Sequence, residues 1–447
     1  MGRRGSRLRF KPVKIAYITA GAGGTICGNC LRDNTLARAF IELGHDVQLI
    51  PTYTPIRTDE QDVSGDRVFI GGLRIYLQQV LPWTRRLPRS IGALLDRPNL
   101  LRWISKFAVN TQPERLGALT VGILEGGNGP FRSELQPLVS WLQQWRPDVI
   151  HITNSMLSSL APMFKQQVGA PVFCSLQGED FFLSSLPSPY SDRAFALLPE
   201  LARSVDVFIS PSRDHAEALA PYFGLPPEQI PVVHPGIDLA GYEARHSRKP
   251  DEFVIGYLAR VAPEKGLKIL VEAFKDLRAR HREGGPRIRL RVAGWLSAEH
   301  RPFLAEVERQ LRSAGIMEDY AYLGEIDHEQ KIAFLRGLDV LSVPTSYRAP
   351  KGLYVLEALA CGVPVVQPRI GVFPEWIDAT GGGLLCEPND PHDLANRLAQ
   401  LMTHPAEADR MGAKGRQRVQ THFNSKRMAE RTLAVYENLA DYRVRRR

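Results

Sequence analysis

SVPTSYRAPKGLYVLEALACGVPVV, residues 342–366, is the stretch on which the fold turns. Val340 to Pro344 and Val363 to Gln367 are short apolar runs bounded by Pro and Gly, the pattern of buried strands. Between them, after a loop with Pro350 and Gly352, Leu353 to Ala360 has the spacing of a helix that carries Glu357. Strand, loop, helix and strand in succession make a parallel α/β unit. Upstream, GYLARVAPEKGLKILVEAF (256–274) sets Arg260 and Lys265 in a loop between a strand, Phe253 to Leu258, and a helix, Leu267 to Arg280. Downstream, GVFPEWIDATGGGLLCEPNDPHDLANRL (371–398) adds a loop, a short helix, the strand Gly383 to Cys386 and another helix.

The same alternation runs outward through the chain. Ile288 to Ala293 and Tyr320 to Gly324 read as further strands of this second series, with a helix from Glu299 to Ala314 between them. The first series has strands at Val13 to Thr19, Asp46 to Ile50, Asp148 to Thr153, Pro171 to Leu176, Val205 to Ser210 and Ile230 to His234. Its first helix spans about Leu31 to Leu43 and stops at Gly44. ARHSRKPDE, 244–252, is polar and aperiodic, and reads as a linker. The chain therefore divides into a Rossmann-like domain (1–243), the linker (244–252), a second Rossmann-like domain (253–423) and a charged helical end (424–447). Two doubly wound α/β domains imply a cleft where the carboxyl ends of both sheets face a ligand.

Length and composition agree. The 447 residues are about three times the size of one typical domain. Hydrophobic residues are 44% and charged residues 23%, which excludes a disordered chain, a collagen-like repeat and a coiled coil. No run approaches the 18 or so apolar residues of a membrane span. The N-terminal MGRRGSRLRF lacks the apolar core of a secretory signal, and Gly2 with Ser6 meets a short myristoylation pattern only formally. Five cysteines, an odd number, do not make a disulfide framework, so a cytoplasmic setting is expected.

The strand Val13 to Thr19 leads into Gly21, Gly23 and Gly24, where backbone amides and a helix N-terminus suit an anion. The dinucleotide fingerprint fails: Ile26 stands at its third glycine, and the second strand ends in Leu49, Ile50 and Pro51 without an acidic residue. This argues against a NAD(P) dehydrogenase. Cys27 and Cys30 form C-x-x-C inside that loop, open to a structural, a redox or, with Cys174, a metal-binding interpretation.

Taken together, the segments around 256–274, 342–366 and 371–398 closely resemble the retaining family-4 glycosyltransferases of the two-domain GT-B fold. HPGID (234–238), DVFISPS (206–212), PVFCSLQGED (171–180) and the glycine loop fit the same pattern, which covers nearly everything except about 55–135. The resemblance implies that Arg260 and Lys265 hold the donor diphosphate and that Glu357 accepts hydrogen bonds from the nucleotide ribose. It also implies that Gly352 and Leu353 approach the donor phosphates and sugar, that Gly23 and Gly24 close in from the opposite side, and that the last helix crosses back to the first domain. The expected reaction is transfer of a hexose from a nucleotide-diphosphate sugar to a sugar or lipid-linked acceptor. No cofactor is expected, and no Asp-x-Asp metal motif occurs.

Two positions depart from the pattern. Ala349 stands where the first glutamate of E-x7-E is usual, so the loop reads A-P-K-G rather than E-P-F-G, and Gln177 stands in Q-G-E-D where H-G-E-D is common. Gln177 can donate and accept a hydrogen bond but does not titrate near neutral pH, and Lys351, Glu179 and Asp180 are the candidates to compensate. These departures motivate two alternatives: a nucleotide-sugar-binding protein with weak or no transferase activity, and a nucleotide-sugar epimerase.

The formal charge of +9 is concentrated. Residues 71–118 hold eight basic residues against Asp96 and Glu114, interleaved with Trp83, Trp103 and Phe107. Such a stretch suits either a solvated helix pair or a peripheral contact with an anionic membrane on its cytoplasmic face. No nucleic-acid motif accompanies it, and no nucleic-acid partner is expected.

Overall fold

The computed structural model describes residues 12–20, 28–52, 56, 58–64, 113–126, 132–246, 248–280 and 285–445. Gly2, Ser6, Gly21, Gly23, Gly24, Cys27 and residues 71–112 of the basic stretch lie outside the described residues. The described strands form two parallel sheets. The first contains β1 (Lys14–Thr19), β2 (Asp46–Pro51), β3 (Val149–Thr153), β4 (Val172–Ser175) and β5 (Val207–Ile209), in the order β2-β1-β3-β4-β5. The second contains β6 (Glu252–Leu258), β7 (Arg287–Ala293), β8 (Tyr320–Tyr322), β9 (Val340–Leu341), β10 (Val365–Pro368) and β11 (Gly383–Cys386), in the order β11-β10-β9-β6-β7-β8.

Helices cover both faces of each sheet, so β4 and β10 are buried throughout, while β7, RIRLRVA, alternates between buried and partly exposed residues. In β1, Ile15 and Tyr17 pack with Phe40 and Phe173 on one face, while Ala16 and Ile18 pack with Leu138 and Phe164 on the other. β6 divides in the same way, with Ile255 and Tyr257 on one side and Val254 on the other. Each sheet reverses its strand order beside its first strand, between β1 and β3 and between β6 and β9. The loops that follow these four strands therefore open into a crevice.

The helix Ser425–Arg445 leaves the second domain and packs on the first. Its Met428, Ala429, Leu433 and Tyr436 join the core around Ile15 and Tyr17, and the Tyr436 hydroxyl hydrogen-bonds His151 Nδ1. The crossover is pinned by Ile237 N donating to Phe423 O (3.1 Å) and Ser425 N donating to Ile237 O (2.8 Å). Gly236 is required there: a Cβ on it would lie 2.1 Å from Asn424 O.

Some elements are shorter than the periodicity suggests. Ile230 to His234 makes only the bridge from Val232 to Ser210, because Pro231 has no N–H for a ladder and Pro235 follows at once. β9 ends at Leu341, with Pro344 close behind, and β8 ends at Tyr322. The first helix starts earlier, at Gly28.

Candidate functional site

The loop after β6 places Arg260 on the surface, ion-paired with Glu264 one turn on. Lys265 turns toward the loop after β9: its Nζ donates to the Tyr347 hydroxyl (2.5 Å) and lies 4.8 Å from that ring's centre. Gly266, at φ +76°, makes this approach possible, since a Cβ there would lie 1.8 Å from Pro344 O. The two loops thus lie side by side, and the helix Leu353–Ala360 starts from the second of them behind a left-handed Gly352 (φ +57°). Leu353 Cδ1 is 3.9 Å from where a Cβ on Gly28 would sit, and Gly28 opens the helix Gly28–Glu42 of the first domain. Two helix N-termini, with their unpaired amides and positive dipole ends, therefore face each other across the cleft.

Beside them runs a chain of buried hydrogen bonds. Lys351 Nζ donates to Gln177 Oε1 and to Asn29 Oδ1, both in the first domain. Gln177 Nε2 donates to Thr153 Oγ1 (3.2 Å), and Thr153 Oγ1 donates to Asp33 Oδ2 (2.7 Å). Asp33 also accepts from Tyr17 Oη (2.6 Å) and Thr19 Oγ1 (3.1 Å). Gln177 is 1% exposed and Lys351 7%. The ammonium fixes the amide with its oxygen toward Lys351 and its nitrogen toward Thr153. Ala349, 3% exposed, packs among Val372, Phe373 and Trp376, and the loop reaches the first domain through Lys351 and, one residue before Ala349, Arg348.

Glu179 opens the short helix Glu179–Ser184 two residues after Gln177, and its carboxylate accepts from the backbone amides of Ser155 and Gln177 (both 2.7 Å). Burial pushes its pKa up, as it does for Asp180. His215, 2% exposed, is held neutral, its pKa lowered to about 3 by burial and then by the Lys351 charge.

Glu357 sits inside a buried ionic cluster. Its Oε1 accepts from Lys331 Nζ (2.6 Å) and Tyr242 Oη (3.2 Å). Lys331 Nζ also contacts Asp59 Oδ2 of the first domain (2.6 Å), with His328 Nδ1 3.7 Å from the same oxygen. Burial alone would lower the Lys331 pKa, but the Glu357 and Asp59 carboxylates outweigh it and raise it. Burial would likewise raise Asp59, yet His328 and Lys331 hold it below the usual range.

A third contact ties the domains together. The Glu375 carboxylate accepts from the Arg213 and Asp214 amides (3.0 and 2.7 Å), at the start of the helix Arg213–Phe223, and from His234 Nε2 (3.2 Å). Burial acts to raise its pKa, but these hydrogen bonds prevail and lower it. Arg348 pairs with Asp214 nearby. Asp33, Thr153, Asn29, Asp59, Lys331, Tyr347 and Glu375 all escape a motif-based search. Thr153 ends a strand and Asn29, Lys331 and Glu375 stand near helix starts, whereas Asp33, Asp59 and Tyr347 carry no positional signal at all.

Structurally, then, Arg260, Lys265, Gly352, Leu353 and Gln177 gather at the crevice, and Glu357 lies one turn inside it. Gly23 and Gly24 lie outside the described residues, in the segment just before Gly28. No helix among the described residues is long and apolar enough to cross a membrane.

Residues 242–418 match the family model described as Glycosyl transferases group 1, and residues 115–240 the one described as Glycosyltransferase Family 4. A D-inositol 3-phosphate glycosyltransferase of Stackebrandtia nassauensis is 30% identical over 392 residues, 79% of this chain and 83% of that protein. A glycogen synthase of Mycobacterium tuberculosis is 28% identical over 299 residues, 66% of this chain and 69% of that one. Among solved structures, a sucrose-phosphate synthase from Thermosynechococcus elongatus aligns with a TM-score of 0.66 at 18% identity, over 96% of this chain and 100% of its own. Anabaena HepE in complex with UDP and glucose gives 0.65 at 15%, over 95% and 100%. Both structures share the two-domain arrangement.

Proposed function

The chain belongs to the group 1, family-4 type glycosyltransferases of GT-B fold, and from that premise we propose that it transfers a hexose, with retention, from a nucleotide-diphosphate sugar to a sugar or lipid-linked acceptor. The observation that carries this is the crevice itself: Lys265, on the loop that also bears Arg260, meets Tyr347 of the loop leading to Leu353–Ala360, and Leu353 lies against Gly28. A diphosphate seated there meets two cations and two sets of helix amides, and its charge is balanced by side chains. The relatives named for sugar transfer, and a neighbour of the same fold holding UDP and glucose, support the same assignment.

In the proposed reaction the bond from the sugar's anomeric carbon to the diphosphate oxygen breaks. The acceptor hydroxyl bonds to that carbon on the same face, and its proton passes to the departing diphosphate. The protein orients the partners and stabilises the charge growing on the leaving group. Glu357, braced by Lys331, would receive the ribose. The basic, tryptophan-bearing stretch 71–118 would meet a lipid-linked acceptor at an anionic surface.

Nucleoside diphosphate release with a panel of UDP-, GDP- and ADP-sugars, and acceptors of both kinds, tests the assignment. Lys265→Ala is expected to cut turnover about a hundredfold or more with the best donor. A variant within tenfold of wild type, or a panel in which nothing binds and nothing turns over, would overturn it. NMR of the product's anomeric proton reads retention directly.

A further inference from the structure

We propose that the helix Pro405–His422 and the start of Ser425–Arg445 form a docking surface for an anionic phospholipid bilayer, contacted through Arg410, Lys414, Arg418 and Lys426. The inference is independent of the reaction assigned above and of the basic stretch 71–118.

Residues 410–429 hold six lysines and arginines and no acidic residue. Arg416 is used inside the fold, donating to Tyr242 O and Ala360 O, and Arg427 pairs with Glu430. The other four are exposed. Arg410, Lys414 and Arg418 recur every fourth residue, so they stand on neighbouring turns of one helix face, and Lys426 follows just past the break between the two helices. Lys414 also extends past Gly381, at the carbonyl end of the helix Phe373–Thr380. Among the described residues, none of the four has a carboxylate within ion-pair distance. Other surface helices match their cations within a turn: Lys275 pairs with Glu272 and Arg280 with Asp276, and Arg309 pairs with Glu306 and Arg312 with Glu308.

The acids around this ridge are committed elsewhere. Glu407 stands in the first turn of the helix, where it complements the dipole, and Asp409 is taken by Arg245 and Arg248. On the helices packed against it, Glu357 is held by Lys331, Glu375 by the Arg213 and Asp214 amides, and Asp393 by Arg397, which leaves Asp378 as their exposed carboxylate. Like charges a turn apart repel one another along a helix, and an external anionic surface relieves that repulsion. The ridge is a line on an open surface, so it suits a plane of charge rather than a single ion. The exposed residues among its cations include Ala413, Gln417, Gln420 and Thr421, with no aromatic ring for a nucleic-acid base and no large apolar group to insert into a membrane. Docking is therefore electrostatic and reversible, each cation adding attraction within a Debye length of the headgroups.

The test is co-sedimentation of the full chain with vesicles of phosphatidylcholine, with and without phosphatidylglycerol. Binding is expected to be at least about tenfold stronger on the anionic vesicles and to fall as salt is raised. Arg410→Gln/Lys414→Gln/Arg418→Gln/Lys426→Gln should lose about tenfold or more of that binding. A control that neutralises as many paired cations, Lys249→Gln/Arg309→Gln/Arg312→Gln/Arg397→Gln, should stay within about threefold of wild type. Thermal melting by circular dichroism checks that each variant is folded. If the ridge variant is not, Arg410→Gln/Arg418→Gln gives the same comparison with a smaller loss, and the charge-preserving Arg410→Lys/Arg418→Lys should bind as wild type does. Equal binding to neutral and anionic vesicles would overturn the inference, as would equal losses in the ridge and control variants. A folded ridge variant that binds like wild type would also overturn it, since another surface would then carry the membrane. So would binding of single-stranded RNA that the ridge variant loses while its vesicle binding persists.

Discussion

At residue 177 a glutamine uses both ends of its amide, accepting from Lys351 and donating to Thr153. Substituting Gln177→Leu leaves a buried ammonium and a buried hydroxyl each short of a partner. We expect it to destabilise the protein by about 1–3 kcal/mol in urea denaturation and to weaken donor binding in parallel. A variant as stable as wild type would mean that the chain to Asp33 is dispensable. Glu60 offers a pH test. Its Oε2 accepts from Thr35 (2.9 Å), yet burial dominates and pushes its pKa up to about 7. A carboxyl whose folded pKa exceeds its unfolded one favours folding while protonated, and that advantage is lost as pH rises from about 4.5 to 7. Glu60→Gln should therefore be increasingly more stable than wild type across that window. The gain should level off above pH 7 at about 1–2 kcal/mol once solvent screening is discounted. A gain that does not change with pH would show that Glu60 is not the titrating group.

At the scale of elements, the segment 58–64 acts as a strap carried by the first helix. Asn34 donates to Gln61 O (2.8 Å) and accepts from Val63 N (2.9 Å), which holds Asp59 out toward the helix His328–Arg336. That helix is itself well anchored, with Asp327 and Gln330 closing a capping box at its start. Lys331 then satisfies two carboxylates from two other elements. Lys331→Met would leave Glu357 with only the Tyr242 hydroxyl and Asp59 with only His328, a change that costs about 3–5 kcal/mol. Urea denaturation of Lys331→Met against Lys331→Met/Asp59→Asn checks this, because removing one carboxylate in the double variant should restore part of the loss. If the double variant is the less stable, the carboxylates are not what Lys331 supports. The periodicity located the helix of Glu357 correctly, from Leu353 to Ala360, but could not show that its glutamate is already engaged. Helical spacing follows from residues a turn apart, whereas Lys331 and Asp59 arrive from elsewhere in the chain.

At the scale of the molecule, the terminal helix completes the first domain. Met428, Leu433 and Tyr436 cover the face of the sheet that holds Ile15, Tyr17 and Phe173. Deleting residues 425–447 would expose that apolar face, and the truncated protein is expected in the insoluble fraction of a lysate. Soluble, cooperative unfolding of the truncated chain would show that the first domain's core is sufficient alone. The sequence by itself determined the parallel α/β series and the loops bearing Arg260 and Lys265. Both are local, since apolar periodicity and Gly/Pro punctuation act over a few residues. It misread Ile230 to His234 as a strand because a run of apolar residues does not reveal whether proline leaves it the N–H groups for a ladder. Only the tertiary structure decided that Lys351 reaches Gln177 and Asn29, that Asp59 and Lys331 brace Glu357, and that Glu375 holds the start of Arg213–Phe223. Lys351 with Gln177 and Asn29, Lys331 with Asp59, and Glu375 with Arg213 and Asp214 each join one domain to the other. Such contacts depend on how two separately folded sheets are set against each other, and that geometry is fixed by long-range packing that no local pattern encodes.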